Sequence, residues 1–194
     1  ISGVELLERC IQQYYDVNPS LNAVVETNFE EARELFKKFD DEFGTDDHPE
    51  PFLPLPVGVK DLNDVKGLKT TFGSPLFKNN VAKSDDDVVA QIRKASAVIF
   101  GKTNVPEHGF GATTTNPLQG STGNPFDKSL SAGASTGGGA AAVASGIVPL
   151  ATGSDFAGSL RTPASFCGIA GMRPSNGVVG TNRRSNIWSP FDVE

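Results

Sequence analysis

Two serines in a glycine-rich stretch have a setting suited to nucleophilic chemistry. Ser135 and Ser159 lie within residues 131–159, a stretch with seven glycines, a single carboxylate at Asp155 and no basic residue. Glycine lets the backbone approach other groups closely, and successive free N–H groups in such loops form a pocket that favours negative charge. Ser135 and Ser159 are therefore the first candidates for a functional site.

A serine nucleophile needs a base, and the two histidines are poorly placed to supply one. His48 lies in a polar segment typical of a solvated loop, and His108 follows Pro106 in a loop-rich region. Residues 133–137 match the GxSxG pattern of a nucleophile elbow, but that motif needs a buried strand before it and its histidine after it. Both histidines precede the motif, so we do not assign the elbow.

Lysine is the remaining candidate base, and Lys60 directly follows the apolar segment 53–59, which is predicted to be a buried or edge strand. A lysine amine ordinarily has a pKa of about 10.4, so it acts as a base near neutral pH only where its surroundings favour the neutral form. Asp61 would oppose this if it touched the amine, but in an extended chain it points to the opposite face. A surface lysine at a strand end is the commoner alternative, and the residues alone leave both interpretations open.

Two glycine-containing segments resemble nucleotide-binding motifs without matching them. Residues 101–103 (GKT) look like the end of a phosphate loop, but Ser96 occupies the position of the first glycine and a strand runs into the segment. Residues 109–111 (GFG) begin a dinucleotide-type pattern in which Thr114 stands where the third glycine belongs. We therefore predict no nucleotide cofactor.

Composition limits the class of protein. The chain has 194 residues, of which 38% are apolar and 21% charged, as is typical of a globular domain with its own core. A net charge of −6 without a basic stripe argues against direct contact with nucleic acid. The longest apolar run, residues 140–152, is too short and too rich in small residues for a membrane span. Cys10 and Cys167 have no metal-ligand or disulfide spacing, so we predict no metal site and a reducing, cytoplasmic setting.

The elements that must position these residues begin with two helices. Ser2 starts an amphipathic helix with a capping box, and this helix is expected to end near Pro19. A second helix begins after Asn28, carries a stripe of phenylalanines and is expected to stop at Gly44. Residues 45–51 are predicted to form a loop.

Further helices and strands alternate along the rest of the chain, which favours an α/β fold. Ser84 is the predicted cap of a third helix, and residues 97–100 are a predicted buried strand that ends at Gly101. Residues 104–128 are loop-rich. The remaining predicted elements are a small-residue helix over 138–145, a buried strand over 147–152 and a short helix capped by Thr162 that ends at Gly168.

Three segments resemble, in the same order, the motifs of the amidase signature family. They are residues 55–61 (LPVGVKD), 132–138 (AGASTGG) and 153–161 (GSDFAGSLR), with Pro163-Ala164 after the last. The family pattern is a GVKD lysine, a GGSSGG loop and a GTDxGGSxRxPA loop. The resemblance extends from the first helix to Gly177, and it implies an α/β fold with a mixed β-sheet flanked by helices, here incomplete.

By this resemblance, residues 1–194 form one amidase signature domain that is truncated at both ends. Residues 1–50 would be its N-terminal helices, and residues 51–194 would be part of its catalytic core. We expect exposed apolar surface where the remainder of the chain belongs. We also expect that remainder to be needed for activity.

The resemblance also implies roles for individual residues. Ser159 is expected to be the nucleophile and Lys60 the base, with Ser135 as a bridging serine that follows a cis peptide bond from Ala134. We expect Lys60, Ser135 and Ser159 to form one hydrogen-bonded line. The N–H groups expected to bind the oxyanion are those of Phe156, Ala157, Gly158 and Ser159. The residues expected to support the loops are Thr136, Asp155 and Arg161.

The implied reaction is hydrolysis of a linear carboxylic amide to an acid plus ammonia or an amine, through an acyl ester on Ser159 and without a cofactor or metal. One alternative is the glutaminase subunit of a tRNA amidotransferase, which would deliver ammonia to a partner. Another is a non-catalytic binding member of the family, because Ala134 and Ala157 replace family glycines. The implied partner is a small-molecule amide; a homodimer is compatible with the resemblance, and neither nucleic acid nor a membrane is expected as a direct partner.

Overall fold

A mixed sheet with helices packed around it forms the part of the chain that the computed structural model describes, residues 2–43 and 54–180. The helices are α1 (Gly3–Leu21), α2 (Phe29–Phe43), α3 (Asp87–Lys94), α4 (Gly137–Ala144) and α5 (Arg161–Cys167), with short 3₁₀ helices at Pro75–Phe77 and Glu107–Gly109. The strands are β1 (Val24–Thr27), β2 (Pro56–Lys60), β3 (Val98–Thr103), β4 (Thr115–Asn116), β5 (Gly120–Ser121) and β6 (Leu150–Ala151).

The main sheet has the strand order β1-β3-β2-β6. β2 runs parallel to both β3 and β6, whereas β1 is antiparallel to β3. β4 and β5 form a separate two-stranded antiparallel ribbon. The predicted α/β fold with a mixed, helix-flanked sheet is therefore confirmed.

Helix α1 begins as predicted but does not end at Pro19. Ser2 accepts a hydrogen bond from the N–H of Glu5, and the Glu5 carboxylate accepts one from the N–H of Ser2. The helix continues through Pro19 and ends at Leu21, two residues beyond the proline. The end is set instead by Asn18, whose Oδ1 accepts from two N–H groups beyond the helix, and by the left-handed backbone of the C-cap residue Asn22.

Helix α2 follows Asn28 as predicted, and its phenylalanine stripe packs inward. Phe29, Ala32 and Phe36 are buried in one cluster with residues of α1, β1, β3 and α4. Asp40 on α2 accepts hydrogen bonds from the first two N–H groups of α1 at 2.9 Å each. The N-terminus of α1 is therefore fixed to the side of α2. The predicted stop at Gly44 and the predicted loop 45–51 lie outside the described residues.

The sheet contains one strand that the sequence did not indicate and one that is longer than predicted. The four-residue strand β1 pairs with β3 between the two N-terminal helices. β3 does not end at Gly101 but continues to Thr103. Gly101 is needed for close approach rather than as a stop, because a Cβ there would lie 2.2 Å from the carbonyl oxygen of Glu26 in β1.

The predicted strand over 147–152 is only partly correct. Ile147 and Val148 are buried, but only Leu150 and Ala151 pair with β2, at the edge of the sheet. Leu150 is 51% exposed, and Met172 is also exposed. In the described part of the chain, this region thus presents apolar side chains to solvent. No helix among the described residues has the length and apolar character needed to cross a bilayer.

Two of the predicted helix caps are wrong, and for α5 the physical reason is a nearby carboxylate. α3 begins after Asp86 rather than Ser84, and Asp86 accepts a hydrogen bond from the N–H of Asp64. α5 begins after Leu160 rather than at a cap on Thr162, because Asp155 accepts the N–H of Leu160. The predicted end of α5 at Gly168, which has a left-handed backbone, is confirmed.

Candidate active site

Lys60 occupies the carboxyl end of β2 and is completely buried. Its Nζ donates hydrogen bonds to Ser135 Oγ at 2.8 Å and to Ser154 Oγ at 2.9 Å, with the carbonyl oxygen of Ser154 at 3.4 Å. Its backbone N–H donates to Thr152 Oγ1 at 3.1 Å. The interpretation of Lys60 as a surface lysine is therefore wrong, and the amine points at one of the two candidate serines.

Ser135 is carried by a tightly packed turn ahead of α4. The peptide bond between Ala134 and Ser135 is cis, as expected. Gly133 has a φ of +77°, and a Cβ at this position would lie 2.9 Å from Pro163 Cα, so glycine is needed both for conformation and for space. Ser135 is buried and lies against Lys60.

Ser159 lies on the neighbouring loop and is partly exposed to solvent. The N–H of Thr136 donates to the carbonyl oxygen of Ser159 at 3.2 Å, so the loops of the two serines are joined directly. Thr136 Oγ1 also lies 3.5 Å from the carbonyl oxygen of Ser154. The Lys60–Ser135 link of the expected hydrogen-bonded line is present, and the Ser135–Ser159 link remains a prediction.

Asp155 organises the loop that carries Ser159. Its buried carboxylate accepts hydrogen bonds from the N–H of Gly158 at 2.7 Å, the N–H of Leu160 at 3.1 Å, and the guanidinium of Arg161 at 2.9 and 3.0 Å. Burial raises the pKa of Asp155, but the hydrogen bonds from Arg161 and from the backbone outweigh burial and hold the pKa well below its usual range. The loop is thus wrapped around a permanent negative charge.

The geometry changes the expected oxyanion site. The N–H of Gly158 is engaged by Asp155, so it is not available to an oxyanion in this arrangement. Within residues 2–43 and 54–180, the N–H groups of Ala157 and Ser159 form no hydrogen bond with a protein acceptor. The residues Phe156 and Ala157 are exposed to solvent. Of the expected donors, those of Ala157 and Ser159, one on each side of Gly158, are thus open to a substrate oxygen, and the role of Phe156 remains a prediction.

Sequence reasoning misses Ser154 as a member of the site. From the sequence, Ser154 only replaces the threonine of the family pattern, which exchanges one hydroxyl for another. Its Oγ and its carbonyl oxygen nevertheless both accept hydrogen bonds from Lys60. Its position immediately before Asp155 is the available signal.

His108 packs among aromatic side chains, in agreement with its interpretation as a loop residue rather than a base. Its ring stacks on Phe72 with centroids 6.3 Å apart and meets Phe77 edge to face at 5.9 Å. The next residue, Gly109, faces the site, because a Cβ there would lie 3.8 Å from Ser135 Oγ. This loop therefore lies over Ser135 with backbone.

The two cysteines are buried away from the candidate site residues. Burial raises the pKa of the Cys167 thiol to about 11, and its Sγ lies 3.6 Å from the carbonyl oxygen of Ala132. Cys10 is also a buried free thiol. His48 lies outside the described residues. Among the described residues, no group of three or more histidine, cysteine, aspartate or glutamate side chains could hold a metal ion.

Comparisons with known proteins agree with this arrangement of motifs. The family model for Amidase matches residues 5–193. Over 178 residues the chain is 41% identical to the A subunit of the glutamyl-tRNA(Gln) amidotransferase of Psychrobacter sp. (strain PRwf-1), in an alignment that covers 92% of this chain and 36% of the relative. Over 179 residues it is also 41% identical to an acylamidase of Rhodococcus erythropolis, with 92% of this chain and 38% of the relative covered.

A solved structure extends the similarity to three dimensions. A bacterial aryl acylamidase of the amidase signature enzymes superposes with a TM-score of 0.87 and 35% sequence identity, over 96% of this chain and 39% of that one. The chain thus spans well under half the length of the relatives that it matches. Because the family model covers nearly all of its residues, the chain belongs to the amidase signature family.

Proposed function

We propose that the protein hydrolyses a linear carboxylic amide to an acid plus ammonia or an amine, through an acyl ester on Ser159. The observation that carries the proposal is the 2.8 Å hydrogen bond between the fully buried Lys60 amine and Ser135 Oγ. A lysine without access to water, aimed at a serine hydroxyl, has the setting of a proton acceptor rather than of a surface charge.

The proton path follows from this contact. Neutral Lys60 takes the proton of Ser135 while Ser135 takes that of Ser159, whose Oγ then attacks the amide carbonyl. The same path run backwards delivers a proton to the leaving nitrogen, and water repeats the sequence to release the acid. The path requires a hydrogen bond between Ser159 Oγ and Ser135 Oγ, and the backbone hydrogen bond that joins their loops supports it.

The oxyanion of the tetrahedral intermediate is assigned to the N–H groups of Ala157 and Ser159. These donors lie just before the first turn of α5, and removal of one such donor from an oxyanion site typically costs about 3 kcal/mol in transition-state stabilisation. Asp155 contributes by holding the loop shape through Gly158 and Arg161, without touching the substrate.

The alternative of a non-catalytic family member loses its main support. Its basis is alanine in place of family glycines at positions 134 and 157. Among the described residues with positive φ, neither alanine appears, so neither methyl group is forced into the left-handed region. The glutaminase alternative keeps support, because the chain is equally similar to an acylamidase and to the A subunit of an amidotransferase.

The test of the proposed function is hydrolysis by the full-length protein of a panel that contains aryl acylamides, aliphatic amides and glutamine. We expect release of amine or ammonia from one class, and loss of at least about a thousandfold in kcat for Ser159→Ala. Turnover of glutamine alone, increased by a partner protein, would favour the glutaminase alternative. Equal turnover by wild type and Ser159→Ala would contradict the proposal.

The cellular location and the assembly state are proposed for the whole protein. We place it in the cytoplasm, acting on a small-molecule amide, and we expect a homodimer if no other protein is needed. Light scattering of the purified full-length protein measures the assembly state, and cell fractionation measures the location. Recovery in the membrane fraction would contradict the proposed location.

A further inference from the structure

A second lysine is fully buried on the other side of the sheet from Lys60. Lys102 Nζ lies 2.9 Å from Asp61 Oδ1, 3.0 Å from Thr70 Oγ1 and 3.1 Å from the carbonyl oxygen of Lys69. The Lys102 side chain has no solvent exposure and that of Asp61 has 1%. A charged pair so completely removed from water is uncommon, because desolvation of the two charges costs free energy.

Asp61 has a full set of donors of its own. Besides Lys102, its carboxylate accepts the N–H of Thr71 at 3.2 Å and a short hydrogen bond from the Thr71 hydroxyl. These bonds fix the carboxylate on the side of the sheet that faces Lys102. The expectation that Asp61 points away from the Lys60 amine is therefore confirmed.

The strand register explains how the two lysines are separated. In the parallel pairing of β2 with β3, Lys102 lies opposite Val59 and Thr103 lies opposite Lys60. Because side chains alternate along a strand, Val59, Asp61 and Lys102 share one face while Lys60 and Thr103 share the other. Asp61 is nevertheless the residue next to Lys60 in the chain, and both side chains are buried, so water screens the Asp61 charge only weakly from the Lys60 amine.

The sign of that effect is opposite to what the proposed reaction needs. A carboxylate without a counter-ion would favour the ammonium form of Lys60, whereas the proton path needs the neutral amine. Lys102 supplies the cancelling positive charge where water cannot. We propose that Lys102 is a positioning residue of the reaction, which neutralises Asp61 and so allows Lys60 to remain uncharged.

Several other charged groups near these side chains are paired with one another. Asp155 on the loop of Ser159 is matched by Arg161 and lies 3.5 Å from Arg173. Glu26 on β1, opposite Lys102, is matched by Lys69 at 3.4 Å. Among the described residues, further titratable groups on neighbouring segments are Asp64, Lys66, Asp85 and Asp86 near the turn after β2, and Glu107 and His108 on the loop over Ser135.

The inference rests on the proposed function, and its test is the acidic limb of the pH profile of kcat/KM for the full-length enzyme. Removing the Lys102 charge with Lys102→Met is expected to shift this limb to higher pH by about one unit, because Asp61 then favours protonated Lys60. Asp61→Asn is expected to shift it to lower pH by a similar amount. The double variant is expected to return toward the wild-type position.

Two controls separate charge from structure. Lys102→Arg keeps the positive charge and is expected to keep the acidic limb at the wild-type pH. Lys66→Met removes a positive charge from an exposed position and is also expected to leave the limb at the wild-type pH. If Lys102→Met does not fold, the test uses Asp61→Asn, a nearly isosteric substitution that is expected to shift the acidic limb to lower pH. A merely structural role would lower the rate without opposite shifts.

The inference and the proposed function fail in different ways. A wild-type enzyme without amide hydrolysis would overturn the proposed function, and the inference with it. An active wild type whose Asp61→Asn and Lys102→Met variants keep the wild-type limb would overturn the inference alone.

Discussion

The backbone N–H of Thr136 donates to the carbonyl oxygen of Ser159 at 3.2 Å. This one hydrogen bond joins the loop of the buried serine, Ser135, to the loop of the partly exposed serine. Each loop is held from its other side as well, the first by Lys60 and the second by Asp155. The relative position of the two loops is thus set by one backbone hydrogen bond and by side-chain contacts to Lys60 and Asp155, so substitutions that disturb either loop are expected to change the chemistry and not only the stability.

Ser154 is expected to orient the lysine. Ser154→Ala removes the hydrogen bond at 2.9 Å that directs the Lys60 amine, and we expect kcat to fall about tenfold with little change in KM. Ser154→Thr keeps the hydroxyl and is expected to retain most of the activity. Steady-state kinetics of both variants checks this, and an unchanged kcat for Ser154→Ala would remove Ser154 from the site.

Asp155 is expected to make stability depend on pH. Its pKa is lower in the folded protein than in the unfolded chain, so its contribution to stability is present above the unfolded value of about 3.9 and is lost as pH falls below that value. We expect Asp155→Asn to melt well below wild type at pH 7, with a smaller difference at pH 3.

Thermal denaturation of the Asp155→Asn variant at the two pH values measures this effect. Asp16→Asn, on the exposed surface of α1, is the matched control and is expected to change the melting temperature little at either pH. A deficit of the same size at pH 3 as at pH 7 would mean that the Asp155 charge does not stabilise the loop.

Two neighbouring glycines of α4 are expected to respond differently to the same substitution. A Cβ at Gly138 would lie 2.3 Å from the backbone nitrogen of Asn104, whereas the nearest atoms to one at Gly139 would be side-chain methyl groups at 3.2 Å. We expect Gly138→Ala to destabilise the fold by about 3 kcal/mol, and Gly139→Ala to change stability by less than about 1 kcal/mol, because better helix propensity offsets mild crowding. Melting temperatures of the two variants decide, and equal stabilities would contradict the tight contact.

Much of the site is accessible from the sequence because its motifs are local. Lys60 follows an apolar strand, and each of the two serines lies among glycines, so their types and neighbours carry the information. The contacts between motifs are less accessible. The contact of Ser154 with Lys60 and the pairing of Lys102 with Asp61 depend on strand register and loop curvature, which no short window of sequence contains.

The errors in the predicted fold also come from contacts that a short window of sequence does not contain. Gly101 is a local signal for a strand end, but a tertiary contact overrules it, because β1 packs against the glycine and the strand continues. The predicted cap of α5 is misplaced because Asp155, outside the helix, satisfies its first N–H groups. The strand β1 escapes prediction because four residues between two helices carry little periodicity.

The central claim is that Ser159 is the nucleophile and that Lys60 activates it. The most direct measurement is peptide mapping by mass spectrometry after the full-length protein reacts with a serine-directed fluorophosphonate. We predict one adduct on Ser159 in wild type, none in Ser159→Ala, and labelling slowed at least about a hundredfold in Lys60→Ala at pH 7. An adduct on Ser135 instead, or labelling of Ser159 at the wild-type rate without Lys60, would contradict the account.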